Sequence, residues 1–511
     1  MLEKNWVRSL FRQRVLAITL ILAQITLIIY FTAIQGTASK VIHTVTDIIS
    51  VLVSIYVIAR KNSISAYKLL WVFVILMFPL FGCVFYFMFS MQTANRKLKK
   101  QSANVEKKTK EALSLSNSAL SEAENKVPEY APQMRYLETF AGFPLYKNTE
   151  TKYLSPGEEM FRALLEELSR AEHYIFLEYF IIQEGQMWNS VLNILKEKAA
   201  NGVTVRIIYD DIGCFMLLPS DYPKTLKKLG IECAVFNPFR PFLTIRQNNR
   251  DHRKIACIDG RVAFTGGINL ADEYINEKLR FGHWKDAALM LKGEAAWSYA
   301  VMFLSMWEIL ANKSEDITEY YPRINTSSGA RGYVQPYSDS PLDNENVGEQ
   351  VYLQILQNAK KYVYINTPYL ILDELMMSAL CLAAKSGIDV RIVTPHIADK
   401  KLVHMTTRSY YANLIAAGVK IYEYTNGFIH SKTFVSDDRV ATVGSANLDF
   451  RSLYLHFECG AYMCDTEAVL TLKEDFLKTL EICTPVTEND CKGGMFRYAV
   501  QNFLRFFAPF M

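Results

Sequence analysis

The sequence lacks the cysteine pattern of a disulfide-rich or zinc-binding protein. Its 511 residues include nine cysteines, an odd number, and no two of them form a C-x-x-C pair. Thiols scattered in this way are better explained as small hydrophobic side chains, which argues against a disulfide framework and against a zinc site. The same pattern favours a reducing compartment for the globular part of the chain.

The sequence also has little net charge. With 56 Lys and Arg residues against 52 Asp and Glu residues, the formal net charge is +4, which does not suggest the strongly basic face or tail of a nucleic-acid-binding protein. Charged residues make up 21% of the chain and hydrophobic residues 50%, which excludes a disordered protein. This length and composition predict roughly two to four domains and no nucleic-acid partner.

Long apolar runs are concentrated near the N-terminus. Three segments, Arg14–Gln35, Val41–Ala59 and Tyr67–Ser90, approach the ~20 residues that a membrane-spanning helix requires. The first segment is not a cleavable signal peptide, because its apolar part is too long and no small-residue cleavage site follows it. The second contains His43 and Asp47, so its assignment as a membrane span is the least secure of the three. We expect a multi-pass anchor with two or three transmembrane helices.

Basic residues do not give these segments a simple topology. They form three clusters: Lys4, Arg8, Arg12 and Arg14 before or at the start of the first segment, Arg60, Lys61 and Lys68 between the second and third, and Arg96, Lys97, Lys99 and Lys100 after the third. The positive-inside rule places all three clusters in the cytoplasm, but three full crossings would put the first and last on opposite sides. If the third segment is re-entrant and the first two cross, all three clusters face the same side. The polar residues of the second segment instead make that segment the one least suited to cross. We favour a cytoplasmic globular part at the cell membrane.

The globular part repeats itself. Strand-like and helix-like segments alternate, which indicates α/β layers, and three blocks recur in the same order: 199–210 with 383–395, 226–237 with 414–425, and 251–272 with 429–450. The sequence therefore predicts two duplicated mixed-sheet α/β halves related by a pseudo-two-fold axis, preceded by an N-terminal transmembrane helical anchor. The expected segments are the anchor (1–90), a polar basic neck that we interpret as a solvated helix (91–130), the first half (131–325), the second half (326–485) and an apolar tail (486–511) that is either interfacial or packed on the domain.

One motif, H-x-K-x4-D followed by a small-residue turn, occurs in both halves. Its residues are His252, Lys254 and Asp259 in the first half and His430, Lys432 and Asp437 in the second, with Asn269 after the first turn and Ser445 and Asn447 at the second. Positions i and i+2 of a strand share one face, so each His and Lys should point to the same side. The segment after Lys254 reads as a β-hairpin that turns at Asp259–Gly260. Two such pairs facing each other would place two imidazoles and two ammonium groups in one pocket.

Such a pocket suits an anion. Two lysines would repel a metal cation, and no cysteine or carboxylate cluster accompanies the histidines. Displacement at a phosphodiester requires stabilisation of charge on the non-bridging oxygens, which lysine and asparagine side chains supply. One neutral imidazole can attack phosphorus while the other, protonated, gives a proton to the leaving alcohol. The pattern predicts two-step covalent phosphoryl transfer without a metal or another cofactor.

The carboxylates divide into two groups. Asp259 and Asp437 belong to the catalytic motif, but a role in fixing the hairpin is favoured for them over direct catalysis. The acid that orients each imidazole must then come from elsewhere in the chain. Glu458, after the second motif, is one candidate, and Asp286 is the analogous acid in the first half, with Glu273 as a weaker rival.

These motifs resemble those of the phospholipase D superfamily. A wider set of segments resembles bacterial cardiolipin synthases over nearly the whole chain: FPLFG, EYF, VRIIYDDIG, HRKIACIDGRVAFTGGINLADEY, NTPYL, RSYYANLIAAGVKIYEY, IHSKTFV and VGSANLDFRS. The resemblance implies a phosphatidyltransferase that converts two phosphatidylglycerols into cardiolipin and glycerol through a phosphatidyl-histidine intermediate. It assigns the nucleophile to His252 and the acid to His430, and it implies phosphatidylglycerol and membrane lipid as partners. It leaves the oligomeric state open.

The chain departs from the family pattern at three positions. Gly267 stands where the second half has Ser445, Ser436 is polar where an apolar strand residue is usual, and His456 occupies a position that is commonly Asn. These departures bear on substrate choice more than on catalysis. The alternatives are a phospholipase D-type hydrolase, another phosphatidyltransferase, a nucleic-acid phosphodiesterase and a catalytically dead membrane scaffold.

Overall fold

The computed structural model describes residues 26, 37–60, 65–90, 105–238, 248–311, 313–322, 329–343 and 345–510. The chain forms an N-terminal helical unit and a larger α/β unit. The first predicted membrane segment, Arg14–Gln35, lies almost entirely outside the described residues, as do the basic clusters before it and after Ser90.

The N-terminal unit contains helix α1 (Thr37–Ala59). Among the described residues, Lys40–Ala59 is the one helical stretch that is long and apolar enough to cross a membrane. This is the segment whose polarity made it suspect. His43 and Asp47 pair with each other, because His43 Nδ1 lies 2.9 Å from Asp47 Oδ2, and this contact offsets part of the cost of placing them near lipid.

The third predicted span is two short helices, which corrects the prediction of one continuous span. Helix α2 (Ser65–Met77) and helix α3 (Pro79–Ser90) are separated by a bend at Phe78. The rings of Trp71 and Tyr86 lie 5.3 Å apart, edge to face, and a Cβ on Gly82 would meet the α2 backbone at 2.6 Å. The two helices therefore fold back on each other as an antiparallel hairpin.

The first α/β half is built on one mixed sheet. Its strands and accompanying short strands are β1 (Thr149–Leu154), β2 (Tyr174–Tyr179), β3 (Thr204–Asp210), β4 (Glu232–Phe236), β5 (Arg250–Asp251), β6 (Ile255–Ile258), β7 (Val262–Gly266), β8 (His283–Lys285) and β9 (Ala288–Gly293). The sheet order is β1-β9-β7-β6-β2-β3-β4. The predicted hairpin is confirmed: β6 and β7 are antiparallel, and Asp259 and Gly260 at the turn both have positive φ, as such turns require.

The second half repeats this topology strand for strand. Its strands are β10 (Tyr333–Asp339), β11 (Tyr362–Asn366), β12 (Asp389–Pro395), β13 (Lys420–Tyr424), β14 (Gly427–Ile429), β15 (Thr433–Ser436), β16 (Val440–Gly444), β17 (His456–Cys464) and β18 (Cys483–Pro485). The sheet order is β10-β17-β16-β15-β11-β12-β13-β18. The first seven positions correspond one to one with the first sheet, so the predicted fold class of two duplicated mixed-sheet halves is confirmed.

Helices cover both sheets. In the first half they are α4 (Leu120–Lys126), α5 (Ala131–Thr139), α6 (Gly157–Ser169), α7 (Gln186–Ala200), α8 (Asp211–Cys214), α9 (Tyr222–Lys228) and α10 (Ala296–Ala311). In the second they are α11 (Val347–Asn358), α12 (Glu374–Lys385), α13 (Lys401–Ala416), α14 (Phe450–Tyr454), α15 (Glu467–Leu480), α16 (Glu488–Cys491) and α17 (Met495–Phe506). Buried apolar side chains such as Leu164, Trp188 and Leu226 fill the space between helices and sheet in the first half, as expected for α/β layers.

The neck is packed where the structure describes it, which differs from the solvated helix that its composition predicts. Val105, Ala112 and Leu113 are buried, and Lys108 Nζ donates to Glu308 Oε1 of α10 at 2.9 Å. Polar composition hid this contact, because a few apolar residues on one face suffice to dock a helix.

Candidate active site

Each motif histidine lies in a short link between two strands of its own half, and the strand before that link pairs with a strand of the other half. His252 follows β5, which pairs in parallel with β17 of the second half, and its N–H donates to Phe457 O at 2.9 Å. His430 follows β14, which pairs in parallel with β8 of the first half, and its N–H donates to Lys285 O at 2.7 Å. The prediction placed each His and Lys within a strand, and this assignment is wrong, because residues 252–254 and 430–432 are links between strands. The charge of each lysine nevertheless acts on the histidine of its motif.

Each histidine binds a carboxylate from the opposite half. His252 Nδ1 lies 2.9 Å from Glu458 Oε1, and His430 Nδ1 lies 2.7 Å from Asp286 Oδ2. All four side chains are buried. Because an ionised carboxylate only accepts hydrogen bonds, each Nδ1 carries the proton and donates it. The lone pair of each Nε2 is then available for chemistry.

The two lysines also hold the links. Lys254 Nζ donates to His252 O at 2.6 Å, and Lys432 Nζ donates in the same way to His430 O. Burial is the main cause that lowers the pKa of Lys254 to about 8 and, together with the charge of Lys254, the pKa of Lys432 to about 7. An ammonium has three donors, so each lysine retains further donors for an anionic ligand.

Burial keeps the histidines neutral. Loss of solvent lowers the pKa of His252 to about 3 despite the opposing charge of Glu458, and it lowers the pKa of His430 to about 4, with Lys432 acting in the same direction. Burial opposes ionisation of Asp286, but the neighbouring His430 and Lys432 outweigh it and lower the pKa of that carboxyl. When both lysines are cationic, their two positive charges balance the charges of the two carboxylates that contact the histidines.

The departure at Gly267 is explained by this geometry. A Cβ at Gly267 would collide with the carboxylate of Asp286, which instead accepts from Ala287 N at 2.8 Å. In the second half the equivalent Ser445 has room, and its Oγ donates to Glu458 Oε2 at 2.5 Å. The longer side chain of Glu458 is therefore supported by the Ser445 hydroxyl, whereas the shorter side chain of Asp286 occupies the space beside Gly267.

The two asparagines hold the turns beside the site. Asn269 Oδ1 accepts from Ile181 N at 3.0 Å, and its Nδ2 donates to Tyr274 OH at 2.7 Å. Asn447 Nδ2 donates to Asp449 Oδ2 at 3.1 Å. Both asparagines are buried, and each of these contacts engages one of the two N–H donors of the amide.

The two motif aspartates lie at the far ends of β6 and β15 from the histidines. Asp259 accepts backbone N–H groups of Glu172, His173 and Tyr174 at 2.7–2.8 Å. Asp437 accepts the equivalent groups of residues 360–362 at 2.6–2.9 Å. Each therefore ties its hairpin turn to the start of the neighbouring strand, which supports the structural role. Glu273, the rival acid, pairs with Arg280 at 3.3 Å instead of with a histidine.

The sequence reasoning missed a set of buried ion pairs around His252. Arg250 Nε donates to Asp210 Oδ2 at 2.9 Å, and Arg253 donates to Asp251 and Glu178. These pairs fix the chain on both sides of His252. Acidic residues within apolar strand runs, as in YIFLEYF, were the available signal, because a buried charge requires a partner.

Aromatic rings surround the two histidines differently. Trp284 and Tyr274 lie 5.3 and 5.7 Å from the His430 ring, whereas Phe180 and His456 lie 5.0 and 5.5 Å from the His252 ring. His456 Nδ1 lies 3.7 Å from Glu458 Oε1, which is beyond hydrogen-bond distance, so the Glu458 carboxylate is closer to His252 than to His456.

Three residues of this site have the side chains of a possible metal site. Ligand atoms of His252, His456 and Glu458 all lie within 4.8 Å of one another. The charge of Lys254 lowers the pKa of His252, and the same charge would repel a cation placed there. The arrangement is better suited to a phosphodiester, which has negative charge for the lysines and an electrophilic phosphorus for a histidine.

Family models match both parts of the chain. The model described as "Cardiolipin synthase, PLD-like domain" matches residues 164–307 and 352–480, once in each half. The model described as "Phospholipase_D-nuclease N-terminal" matches residues 48–90, which covers most of α1 and the hairpin.

Relatives and a solved structure agree with these matches. An uncharacterized protein of Streptococcus mutans is 46% identical over 419 residues, 82% of this chain and 91% of that protein. Cardiolipin synthases of Geobacillus sp. and Geobacillus thermodenitrificans are 36% and 35% identical, covering 86% and 90% of this chain and 87% and 92% of their own lengths. The crystal structure of a phosphatidylserine synthase from Haemophilus influenzae shares the fold, with a TM-score of 0.55 at 14% identity over 74% of this chain and 98% of that one. The chain therefore belongs to the phospholipase D superfamily, as a cardiolipin synthase-like phosphatidyltransferase.

Proposed function

We propose that the protein makes cardiolipin from two phosphatidylglycerol molecules and releases glycerol. The observation that carries the proposal is the pair of buried His–carboxylate contacts that cross between the halves, with a lysine beside each histidine. Two relatives that are 35–36% identical over most of their length are cardiolipin synthases, which supports phosphatidylglycerol as the substrate within the broader class of phosphatidyl donors.

In the first step, His252 is the nucleophile. Its Nδ1–H donates to Glu458, so Nε2 presents a lone pair to phosphorus. The new N–P bond forms as the P–O bond to the headgroup glycerol breaks, and protonated His430 donates its Nε2 proton to the departing alkoxide. Lys254 and Lys432 stabilise the charge on the non-bridging oxygens. The products are a phosphatidyl-histidine and free glycerol.

In the second step, the reaction runs in reverse with a new alcohol. His430, now neutral, takes the proton from a headgroup hydroxyl of a second phosphatidylglycerol. The resulting oxygen nucleophile attacks phosphorus, the N–P bond breaks, and cardiolipin leaves while His252 returns to its starting form.

The proton for His430 follows from the charge balance of the site. The charges of the two lysines and the two carboxylates balance when both lysines are protonated, and a phosphodiester adds one negative charge. An added negative charge raises the pKa of a neighbouring imidazole, so substrate binding favours uptake of one proton. We assign that proton to His430 because His252 must remain neutral to attack.

For the anchor, we propose that the α2–α3 hairpin is re-entrant. Helices of 13 and 12 residues are each about 20 Å long, shorter than the ~30 Å hydrocarbon core of a bilayer. If the first apolar segment and α1 both cross and the hairpin enters and leaves on one side, all three basic clusters face the cytoplasm, as the positive-inside rule requires. The catalytic halves then lie in the cytoplasm.

The reaction is tested with purified full-length protein and phosphatidylglycerol in detergent micelles. We expect cardiolipin and glycerol in equal amounts, and a loss of at least about a hundredfold in turnover for His252→Ala and for His430→Ala, because both act at the reacting atoms. His173→Ala, which alters an exposed histidine away from the site, is the matched control and should keep full activity. Phosphatidic acid as the sole lipid product would refute the synthase proposal and indicate a hydrolase.

The lysines predict how activity depends on pH. Since their pKa values are lowered to about 7 for Lys432 and about 8 for Lys254, both lose their charge as the pH rises through this range. We therefore expect kcat/KM for phosphatidylglycerol to fall between about pH 7 and 9. Lys432→Arg retains a permanent charge and should move this decline to higher pH. A wild-type profile that stays flat across the range would contradict the electrostatic role.

The topology is tested by labelling introduced cysteines in intact cells with a membrane-impermeant maleimide. Thr37→Cys, at the start of α1, should react from outside, whereas Arg60→Cys and Gln101→Cys should react only after permeabilisation. The wild-type chain, with its nine native cysteines, supplies the background. External labelling of Gln101→Cys would show that the third segment crosses fully and would refute the re-entrant hairpin.

A further inference from the structure

The C-terminal helix α17 presents an apolar stripe to the outside. Its members are Met495, Tyr498, Phe503 and Phe506, which are 90%, 45%, 64% and 37% exposed. At about 100° of rotation per residue, these positions lie on one side of a helix. Aromatic and apolar side chains grouped in this way mark an interaction surface more often than an ordinary solvated face.

One side of α17 packs on the second half. Leu504 is buried, as is Ala508 just beyond the helix, and the Arg505 guanidinium lies 4.5 Å from the ring centroid of Tyr410 on α13. The helix is therefore docked on the second half by one face. The outward stripe is a separate surface, since packing on the domain does not cover it.

The charged residues in the sequence at the C-terminal end of the chain have one sign. After Asp490 the sequence contains no acidic residue, whereas Lys492, Arg497 and Arg505 are cationic. An amphipathic helix with aromatic side chains on one face and flanking cations is the usual form of a segment that lies in the headgroup region of an anionic bilayer. The cations favour a negatively charged surface, and the aromatic stripe favours one with an apolar layer behind its charges, which is the arrangement of an anionic phospholipid bilayer.

The helix is connected to the catalytic loop of the second half. A short 3-10 turn, Ala508–Phe510, packs against α14. Helix α14 begins directly after Asp449, whose carboxylate accepts from Asn447 at the site. A membrane contact made by the tail would therefore act close to the loop that helps to form the active site.

We propose that α17 is an interfacial helix whose outward stripe inserts into the headgroup region of an anionic phospholipid bilayer and holds the second half against the membrane. This contact is separate in sequence from the N-terminal anchor, because α17 follows both catalytic halves. Burying the stripe in lipid would present the site to substrates that remain in the bilayer.

The insertion is tested by fluorescence of the full chain reconstituted in phosphatidylglycerol vesicles that contain a brominated phospholipid. The emission added by Phe503→Trp, measured against the wild-type background of six tryptophans, should be strongly quenched. Leu382→Trp is the matched control, because Leu382 on α12 is 66% exposed and lies outside the stripe. Quenching of the Phe503→Trp emission no greater than that of the control would overturn the proposal, whatever the protein catalyses.

A second measurement links the contact to turnover. Because a charge in place of a phenylalanine that inserts into lipid removes most of the transfer free energy of that side chain, Phe503→Glu should lower turnover on phosphatidylglycerol vesicles about tenfold. It should leave turnover on a monomeric short-chain phosphatidylglycerol unchanged, and Leu382→Glu should change neither. Equal losses on both substrates would show that α17 supports the fold or the site and would refute a role at the bilayer.

Discussion

Two buried hydrogen bonds that cross between the halves, from His252 to Glu458 and from His430 to Asp286, determine how this site is built. Each half supplies a histidine for one bond and a carboxylate for the other, so neither half contains a complete site. The short parallel pairings of β5 with β17 and of β14 with β8 bring these groups together. Removing one partner of such a buried pair typically costs about 3–5 kcal/mol, and here it would also release the tautomer that makes a histidine reactive.

The same two bonds set the electrostatics of the site. Two carboxylates and two lysines balance one another in a region where burial lowers the pKa of every histidine and lysine involved. A phosphodiester disturbs this balance by one charge, and protonation of one imidazole restores it. A buried site of this kind is better suited to a substrate that has both a charged group and an apolar body, as a phospholipid does, than to a small soluble ion.

Much of this could be read from the sequence, because duplication and motif spacing are local properties. The ordered blocks gave the two halves, the hairpin at Asp259 followed from its turn residues, and Glu458 and Asp286 were singled out as the acids near the histidines. Their exchange between halves could not be read, because it depends on the strand pairing of two distant segments. The strand assignment of His252 and Lys254 was wrong for the same reason: a local period cannot show where a strand ends and the chain contacts another sheet. Continuous hydrophobicity does not distinguish one long helix from two short ones, but Pro79, directly after the bend at Phe78 and first in α3, was the available signal for a helix boundary.

Mapping the covalent intermediate tests the central claim most directly. Full-length protein is mixed briefly with a short-chain phosphatidylglycerol, quenched in alkali to preserve the N–P bond, digested and analysed by mass spectrometry. The crossed-pair mechanism predicts a phosphatidyl group on the peptide that contains His252 and its loss in His252→Ala. An adduct on His430 would reverse the assigned roles, and continued turnover with no adduct on either histidine would contradict covalent catalysis at this site.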